Sequence, residues 1–474
     1  MSDSPPRLCQ AEIGRLAAAG MDVPLYARSG VSPGVVHLGL GAFQRAHQAM
    51  VFDEILRAGD RRWAVCAVAT RSVQLADTLA AQDGLYAVKL ASSQGESWHM
   101  VGAVVQTCSA KREPRLVHAA IASPGTRWLT LTVTEKGYDA DLATLLLDGL
   151  HLRLAAGLGG LTIASCDNLS HNGDKLKELL VNACDDDALL QWLQVQCRFP
   201  NSMVDRIVPA ATSQCVDEAA IAWGVEDKGA LFTERFSEWV IEDNFVDPSD
   251  GQLLAKAGVT VVPDVGPYEA AKLRMLNGSH SALACIGAVM GLATVFDAVM
   301  QAQIRQFIHQ LMTYEVMPNL ARPGLADYRD ALLERFGNPA IKHSLHQIAT
   351  DSSKKISLRW VPSILDQLQH GGRIEHLAFA SAAWMRYCLG QDDAGKRYAI
   401  HDPQAELLGS LAKQLAGHTD GAITKFLALP GVWGPALPTT PAWCDAVTSA
   451  TREILQHGMA GALGHLLAAD PLRR

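Results

Sequence analysis

Val35-Val-His-Leu38 runs directly into Gly39-Leu-Gly41-Ala42-Phe43-Gln44-Arg45-Ala-His47. The apolar run reads as a buried strand, the glycines as a tight turn, and the residues from roughly Arg45 to Ala58 as a helix. A second apolar strand, Trp63 to Ala69, follows. Strand, glycine turn and helix open a dinucleotide-binding unit. Glycine lets the backbone approach a pyrophosphate, and the helix start supplies N–H groups and a positive dipole. Gly39, Gly41, Ala42, Phe43 and Arg45 are therefore candidate cofactor contacts. Gln44 stands at the third glycine of the GxGxxG pattern, and an ordinary strand-to-helix turn would look much the same. The second strand ends Ala69-Thr70-Arg71, without the acid that usually holds the ribose diol of NAD; the nearest is Asp77. Arg71 suits a 2′-phosphate, which keeps NADP open beside NAD, or else is a solvated loop arginine.

The chain has 474 residues, 49% of them hydrophobic, too many for one core, so two domains are expected. A net charge of −8 without a basic block argues against nucleic acid or an anionic membrane as partner. The start, MSDSPPRLCQ, has no apolar core and does not read as a signal peptide. The longest apolar run, Ala282 to Phe296, falls short of the roughly 20 residues of a membrane span. The 10 cysteines are scattered without a CxxC pair and read as reduced thiols, not as a disulfide framework or zinc site. A soluble cytoplasmic protein without a metal is expected.

Further strands are expected at Tyr86–Leu90, Met100–Val105, Trp128–Thr134 and Leu161–Ser165. The last runs into Cys166-Asp167-Asn168, at the carboxyl edge where open α/β sheets bind ligands. Asn168 is thus a site candidate, although a turn former or helix cap is the plainer reading. Asp205 and Arg206 interrupt an apolar stretch, and buried charges of this kind are paired or functional. Strands and helices alternate to about residue 262, then helices dominate. The fold class is α/β: a Rossmann-like dinucleotide-binding domain with an extended, mostly parallel sheet (1–265), then a mainly α-helical substrate and catalytic domain (266–474). The break Pro263-Asp-Val-Gly266-Pro267 separates them.

Immediately after that break stands Lys272-Leu-Arg-Met-Leu-Asn277-Gly-Ser-His280-Ser. On a helix from about Tyr268 into the low 290s, Lys272, Asn277 and His280 span an arc of about 140°, with Glu269 on the same side. An amine pulled toward neutrality takes the proton of a secondary alcohol as hydride leaves to a nicotinamide. Amides such as Asn277 and Asn168 hold the developing alkoxide. His280 would contact an extended substrate, and Glu269 would relay the proton to solvent. Taken singly, a helix-surface Lys or Glu is usually solvated and a lone His usually structural.

GLGAFQRAHQ, TVTEKGY, SCDNLSHNG, FPNSMVDRIVPAAT, WVIEDNF and KLRMLNGSHS, in that order, resemble the motifs of the polyol-specific long-chain dehydrogenase/reductase family, the mannitol dehydrogenase group. HQIATDSSKK from His346 and LAFASAAWMRY at 377–387 extend the resemblance along the chain. It implies a dinucleotide-binding domain plus a helical one, NAD or NADP, and no zinc. It places the base on Lys272, the oxyanion amides on Asn277 and Asn168, and a substrate contact on His280. The proton gate falls on Glu269, a residue near substrate on Asp205, and a substrate cation on Lys355; Gln347 stands where mannitol-type members have an arginine. FPNSMVDRIVPAAT, WVIEDNF and QIATDSSKK are most similar to the branch that interconverts D-mannonate and D-fructuronate, for which Lys355 or Arg359 would meet the carboxylate. Ser352 and ISLR depart from that branch's pattern. Mannitol or arabinitol is the nearest alternative substrate, and a non-catalytic nucleotide-binding sensor the alternative of another class. The expected partner is a small sugar acid or polyol, handled by a monomer or small homo-oligomer.

Overall fold

The computed structural model describes residues 5–415 and 419–469. The chain divides into two compact units, Met1–Gly266 and Pro267–Arg474; the ends 1–4 and 470–474 lie outside the described residues. The first unit contains β1 (Val35–Leu38), β2 (Val65–Ala69), β3 (Tyr86–Ser92), β4 (Gly95–Val101), β5 (Val104–Ser109), β6 (Trp128–Leu131), β7 (Thr162–Ser165), β8 (Ser202–Asp205), β9 (Leu231–Glu234), β10 (Glu238–Glu242) and β11 (Thr260–Val262). A 5-stranded sheet in the order β5-β2-β1-β6-β7 is parallel throughout. The rest form 3-stranded mixed sheets, β11-β10-β8 and β4-β3-β9. β1 is buried along its whole length, as a strand covered by helices on both faces must be. One core holds Phe52, Trp63, Trp128 and Trp239; another holds Leu129, Leu146, Ile163 and Trp192.

The expected single strand from Met100 to Val105 is two strands. The Gly102 carbonyl accepts from Arg28 Nε and its N–H donates to Asp53 Oδ1, each at 2.8 Å. Side chains occupy the backbone groups a continuous ladder would use. The helix expected from Arg45 to Ala58 starts earlier and breaks, giving Ala42–Ala46 and Gln48–Arg57 around His47 (φ −129°, ψ −88°). The Ala46 carbonyl at the break accepts from Arg206 Nη1, and His47 Nε2 lies 3.0 Å from the Glu238 carbonyl.

His37 is the one imidazole inside the parallel sheet among the described residues. Thr132 Oγ1 donates to the Gly39 carbonyl at 2.9 Å, so it accepts from His37 Nε2, also at 2.9 Å. His37 Nδ1 then accepts from Thr130 Oγ1 at 2.8 Å; the tautomer is assigned from this network. Burial pushes the imidazole from 6.5 down to about 3. Because the folded-state value is depressed, the neutral ring contributes its stability in full above 6.5, and loses it as pH falls from 6.5 toward 3. The slope is at most about 1.4 kcal/mol per pH unit. Urea unfolding across that window should show an acid slope shallower by about one proton in His37→Gln than in the parent chain.

In the second unit, the helix Gly278–Val289 is buried at every residue. It is preceded by the helix Gly266–Ala271 and a wide π-turn, Lys272–Asn277. The unit's last helix, Pro441–Ala468, is broken at Gly458. All ten cysteines are free thiols, and no helix among the described residues is long and apolar enough to cross a membrane.

Candidate active site

The glycine turn after β1 presses against the end of β6. Gly39 has φ +107°, and a Cβ there would stand 2.2 Å from the Thr132 carbonyl oxygen. Only glycine tolerates both that backbone and that approach. Gly41 is extended, and a Cβ there would meet nothing nearer than the Gly39 carbonyl at 3.5 Å. Its missing side chain leaves the N-cap of the helix Ala42–Ala46 open on one side, with Ala42 and Phe43 part-exposed behind it. That surface fits a dinucleotide's pyrophosphate.

Arg45, expected at the cofactor, has its guanidinium buried on the carbonyls of Gly41 and Gly229, with its carbon 5.3 Å from the centre of the Tyr86 ring. Burial lowers its pKa. It braces the glycine turn through the Gly41 carbonyl. Arg71 lies exposed just beyond β2. Asp77, the nearest acid, is held by Arg112 at 2.7 and 3.0 Å.

At the carboxyl edge of β7, Asp167 organises the loop. Its carboxylate accepts from the N–H groups of Val133 and Thr134 at 3.2 and 2.7 Å and from Tyr138 Oη at 3.1 Å. These bonds turn the chain away from the sheet, so β6 stops at Leu131, short of the expected Thr134. Burial raises the Asp167 pKa against those donors. Asn168 follows it, exposed. Asp205 ends β8 and is buried. Its neighbour Arg206 donates to the Glu234 carbonyl at 3.1 and 2.9 Å, which gives that charge a structural place.

In the second unit the expected unbroken α-helix is interrupted at the candidate residues Lys272–Asn277. The Gly278 N–H reaches back to the Leu273 carbonyl, closing a ring over five residues. On an α-helix, residues five apart diverge by about 140°; closure from i to i+5 narrows that angle, so Lys272 and Asn277 fall on one side of the turn. Carbonyls at the end of the turn are satisfied from outside. Arg359 Nη1 donates to Asn277 O at 3.2 Å and to Ser281 Oγ at 2.8 Å, and Trp360 Nε1 donates to Gly278 O at 3.0 Å. Glu269 lies on the preceding helix, half-buried. His280 is buried against Phe336, with ring centroids 4.8 Å apart, and edge-on to His343 at 5.4 Å. Burial, then His343, Arg335 and Arg359, hold its pKa well below the usual imidazole range. His280 is thus a neutral hydrogen-bonding group. Lys355 donates to the carbonyls of Ile348, at 3.2 Å, and Thr350, at 2.5 Å. Burial, then Arg359, lower its pKa, and burial brings Arg359 down to about 10.

Residues 33–250 match the family model for the mannitol dehydrogenase Rossmann domain, and residues 264–455 that for the mannitol dehydrogenase C-terminal domain. The chain belongs to the mannitol dehydrogenase family of oxidoreductases. It is 35% identical over 469 residues to the D-mannonate oxidoreductase of Escherichia coli, covering 92% of this chain and 96% of that one. It is 36% identical over 431 residues to a mannitol 2-dehydrogenase of Pyrenophora tritici-repentis, covering 83% and 76%. The solved Pseudomonas fluorescens mannitol 2-dehydrogenase, a ternary complex with NAD and D-mannitol, superposes with a TM-score of 0.79 at 30% identity, covering 98% of this chain and 100% of that one.

In this mannitol dehydrogenase family member, motif reading missed Trp360 and Asp402. Trp360 steadies the π-turn, as described. The Asp402 carboxylate accepts from Ser353 N–H at 2.9 Å and Ser353 Oγ at 2.6 Å. It thereby pins the start of the helix Ser352–Arg359, which carries Lys355 and Arg359. Neither residue lies near its partner in sequence, so no local spacing announces them.

Proposed function

We propose that the chain is an NAD-dependent dehydrogenase, working in the cytoplasm, that interconverts the secondary alcohol of D-mannonate and the ketone of D-fructuronate. The observation that carries the hexonate reading is the pair Lys355 and Arg359. Both are part-buried, both are held below their usual pKa by burial, and neither makes an ion pair among the described residues. Asp351 and Asp402 act on Lys355 only from beyond ion-pair distance, and cations withdrawn from water without a direct ion pair favour an anionic ligand such as a carboxylate.

NAD, when bound, takes up or returns the hydride. Gly39 and Gly41 with the turn through Phe43 receive its pyrophosphate. Lys272, as a neutral amine, takes the hydroxyl proton, and Glu269 passes it on. The Asn277 amide, on the same wide turn as Lys272, donates to the oxygen as negative charge develops. Neutral His280 bonds a further hydroxyl. Asn168 as second amide donor and Asp205 as substrate contact belong to the same reading, to be tested by Asn168→Ala and Asp205→Asn. The polyol reading draws on the names of the fungal and pseudomonad relatives and on the D-mannitol in the latter.

Initial rates, followed at the reduced-nicotinamide absorbance with D-mannonate, D-mannitol and D-arabinitol, decide between them. D-mannonate with NAD should give the highest kcat/KM. Lys355→Ala should lower it by about 10- to 100-fold, the worth of a charge-assisted hydrogen bond. Faster turnover of D-mannitol would overturn the hexonate reading, and no turnover of any of them would favour the sensor. Arg71→Ala should change rates with NADP only.

A further inference from the structure

Three side chains outside the proposed reaction converge near the carboxyl end of the second unit. Glu453 and His457 stand a turn apart on the helix Pro441–Ala468, with Glu453 Oε2 3.8 Å from His457 Nε2. His465 lies 12 positions beyond Glu453, yet its Nδ1 is 3.0 Å from the same oxygen. A straight helix would separate those positions by about 18 Å. They meet because the backbone breaks at Gly458 (φ 69°, ψ 171°) and folds back. The break is fixed from outside: Asp393 Oδ2 accepts the Met459 N–H at 2.7 Å and would stand 3.3 Å from any Cβ at Gly458. The two imidazoles meet edge to face with centroids 4.6 Å apart, and the three donor atoms lie within 4.8 Å of one another.

We propose that Glu453 Oε2, His457 Nε2 and His465 Nδ1 bind a divalent transition ion of the zinc class, with water completing its shell. Donors about 2.0–2.2 Å from a tetrahedral ion stand roughly 3.4 Å apart, and the observed 3.0 and 3.8 Å bracket that spacing. Two imidazole nitrogens with one carboxylate suit zinc, nickel or copper; magnesium and calcium want more oxygen. Without the ion, the contacts are exposed surface pairs that hold the two limbs together only weakly. With it, the limb after Gly458 is chelated to the limb before it. The C-terminal family match ends at residue 455, so both histidines lie beyond it.

The full chain, stripped with EDTA, is titrated with ZnCl2 by calorimetry and melted with and without zinc, beside His457→Ala and His465→Ala. The parent should take up one strong equivalent and melt higher in zinc. Each variant should bind at least about tenfold more weakly, since losing a direct ligand costs no less than losing a group that orients one. Each should also lose the zinc-dependent rise in Tm. Glu453→Gln, which keeps the shape, gives the same readout should a histidine variant prove unstable. No uptake by the parent, uptake undiminished in both histidine variants, or MgCl2 bound as tightly as ZnCl2 would each overturn the assignment.

Discussion

Lys272→Ala is expected to slow turnover by roughly 10²- to 10⁴-fold, the usual contribution of a positioned proton acceptor, with NAD affinity almost unchanged. The lysine lies on the second unit, whereas the glycine turn proposed for the dinucleotide belongs wholly to the first. The substitution also leaves the π-turn standing. The carbonyls of Asn277 and Gly278 keep their donors Arg359 and Trp360 in the variant. What disappears is the amine. Lys272→Arg should not restore activity, because a guanidinium stays protonated and cannot accept the hydroxyl proton. Asn277→Ala should cost about 10²- to 10³-fold in kcat, the loss typical of one oxyanion donor. Single-turnover absorbance with a parallel NAD titration by tryptophan fluorescence separates chemistry from binding. Turnover of Lys272→Ala within tenfold of the parent would remove the lysine from the role of base.

The α/β class and the strand-turn-helix opening were legible because they rest on local causes. β1 is a short apolar run with buried neighbours on both faces, and Gly39 is required by its own backbone angle. The interruptions were not legible, because their causes lie elsewhere in the chain. The break at His47 depends on Arg206, 160 residues away from the Ala46 carbonyl it engages. The π-turn is held by side chains 82 residues downstream. Nothing in KLRMLNGSHS distinguishes i→i+5 from i→i+4 closure, so helical periodicity placed Lys272 and Asn277 on one broad face without narrowing the angle between them. Arg45 is a further case: its burial on the Gly229 carbonyl and beside Tyr86 comes from residues distant in sequence, which the glycine turn does not announce. Long-range contacts of this kind decide geometry within an element whose existence is locally determined.

Gly39→Ala and Gly41→Ala should part company, although both alter one turn. At Gly39 the new methyl meets the Thr132 carbonyl oxygen at 2.2 Å and Thr132 Oγ1 at 2.8 Å. The backbone at φ +107° also disfavours any side chain. Strain and overpacking each cost about 1–3 kcal/mol, so a loss of roughly 2–6 kcal/mol is expected. The damage should spread, since Thr132 Oγ1 is the partner of both the Gly39 carbonyl and His37 Nε2. Displacing it leaves a buried imidazole donor without an acceptor. At Gly41 the methyl meets only Gly39 O at 3.5 Å, an ordinary contact, on a backbone any residue adopts. Gly41→Ala should therefore melt close to the parent yet bind NAD more weakly, because its methyl enters the space a pyrophosphate would occupy. Thermal melting and NAD titration of the two variants together test the turn. Equal melting temperatures would mean that β6 yields to Gly39→Ala, and parental NAD affinity in Gly41→Ala would mean that the dinucleotide does not approach this turn.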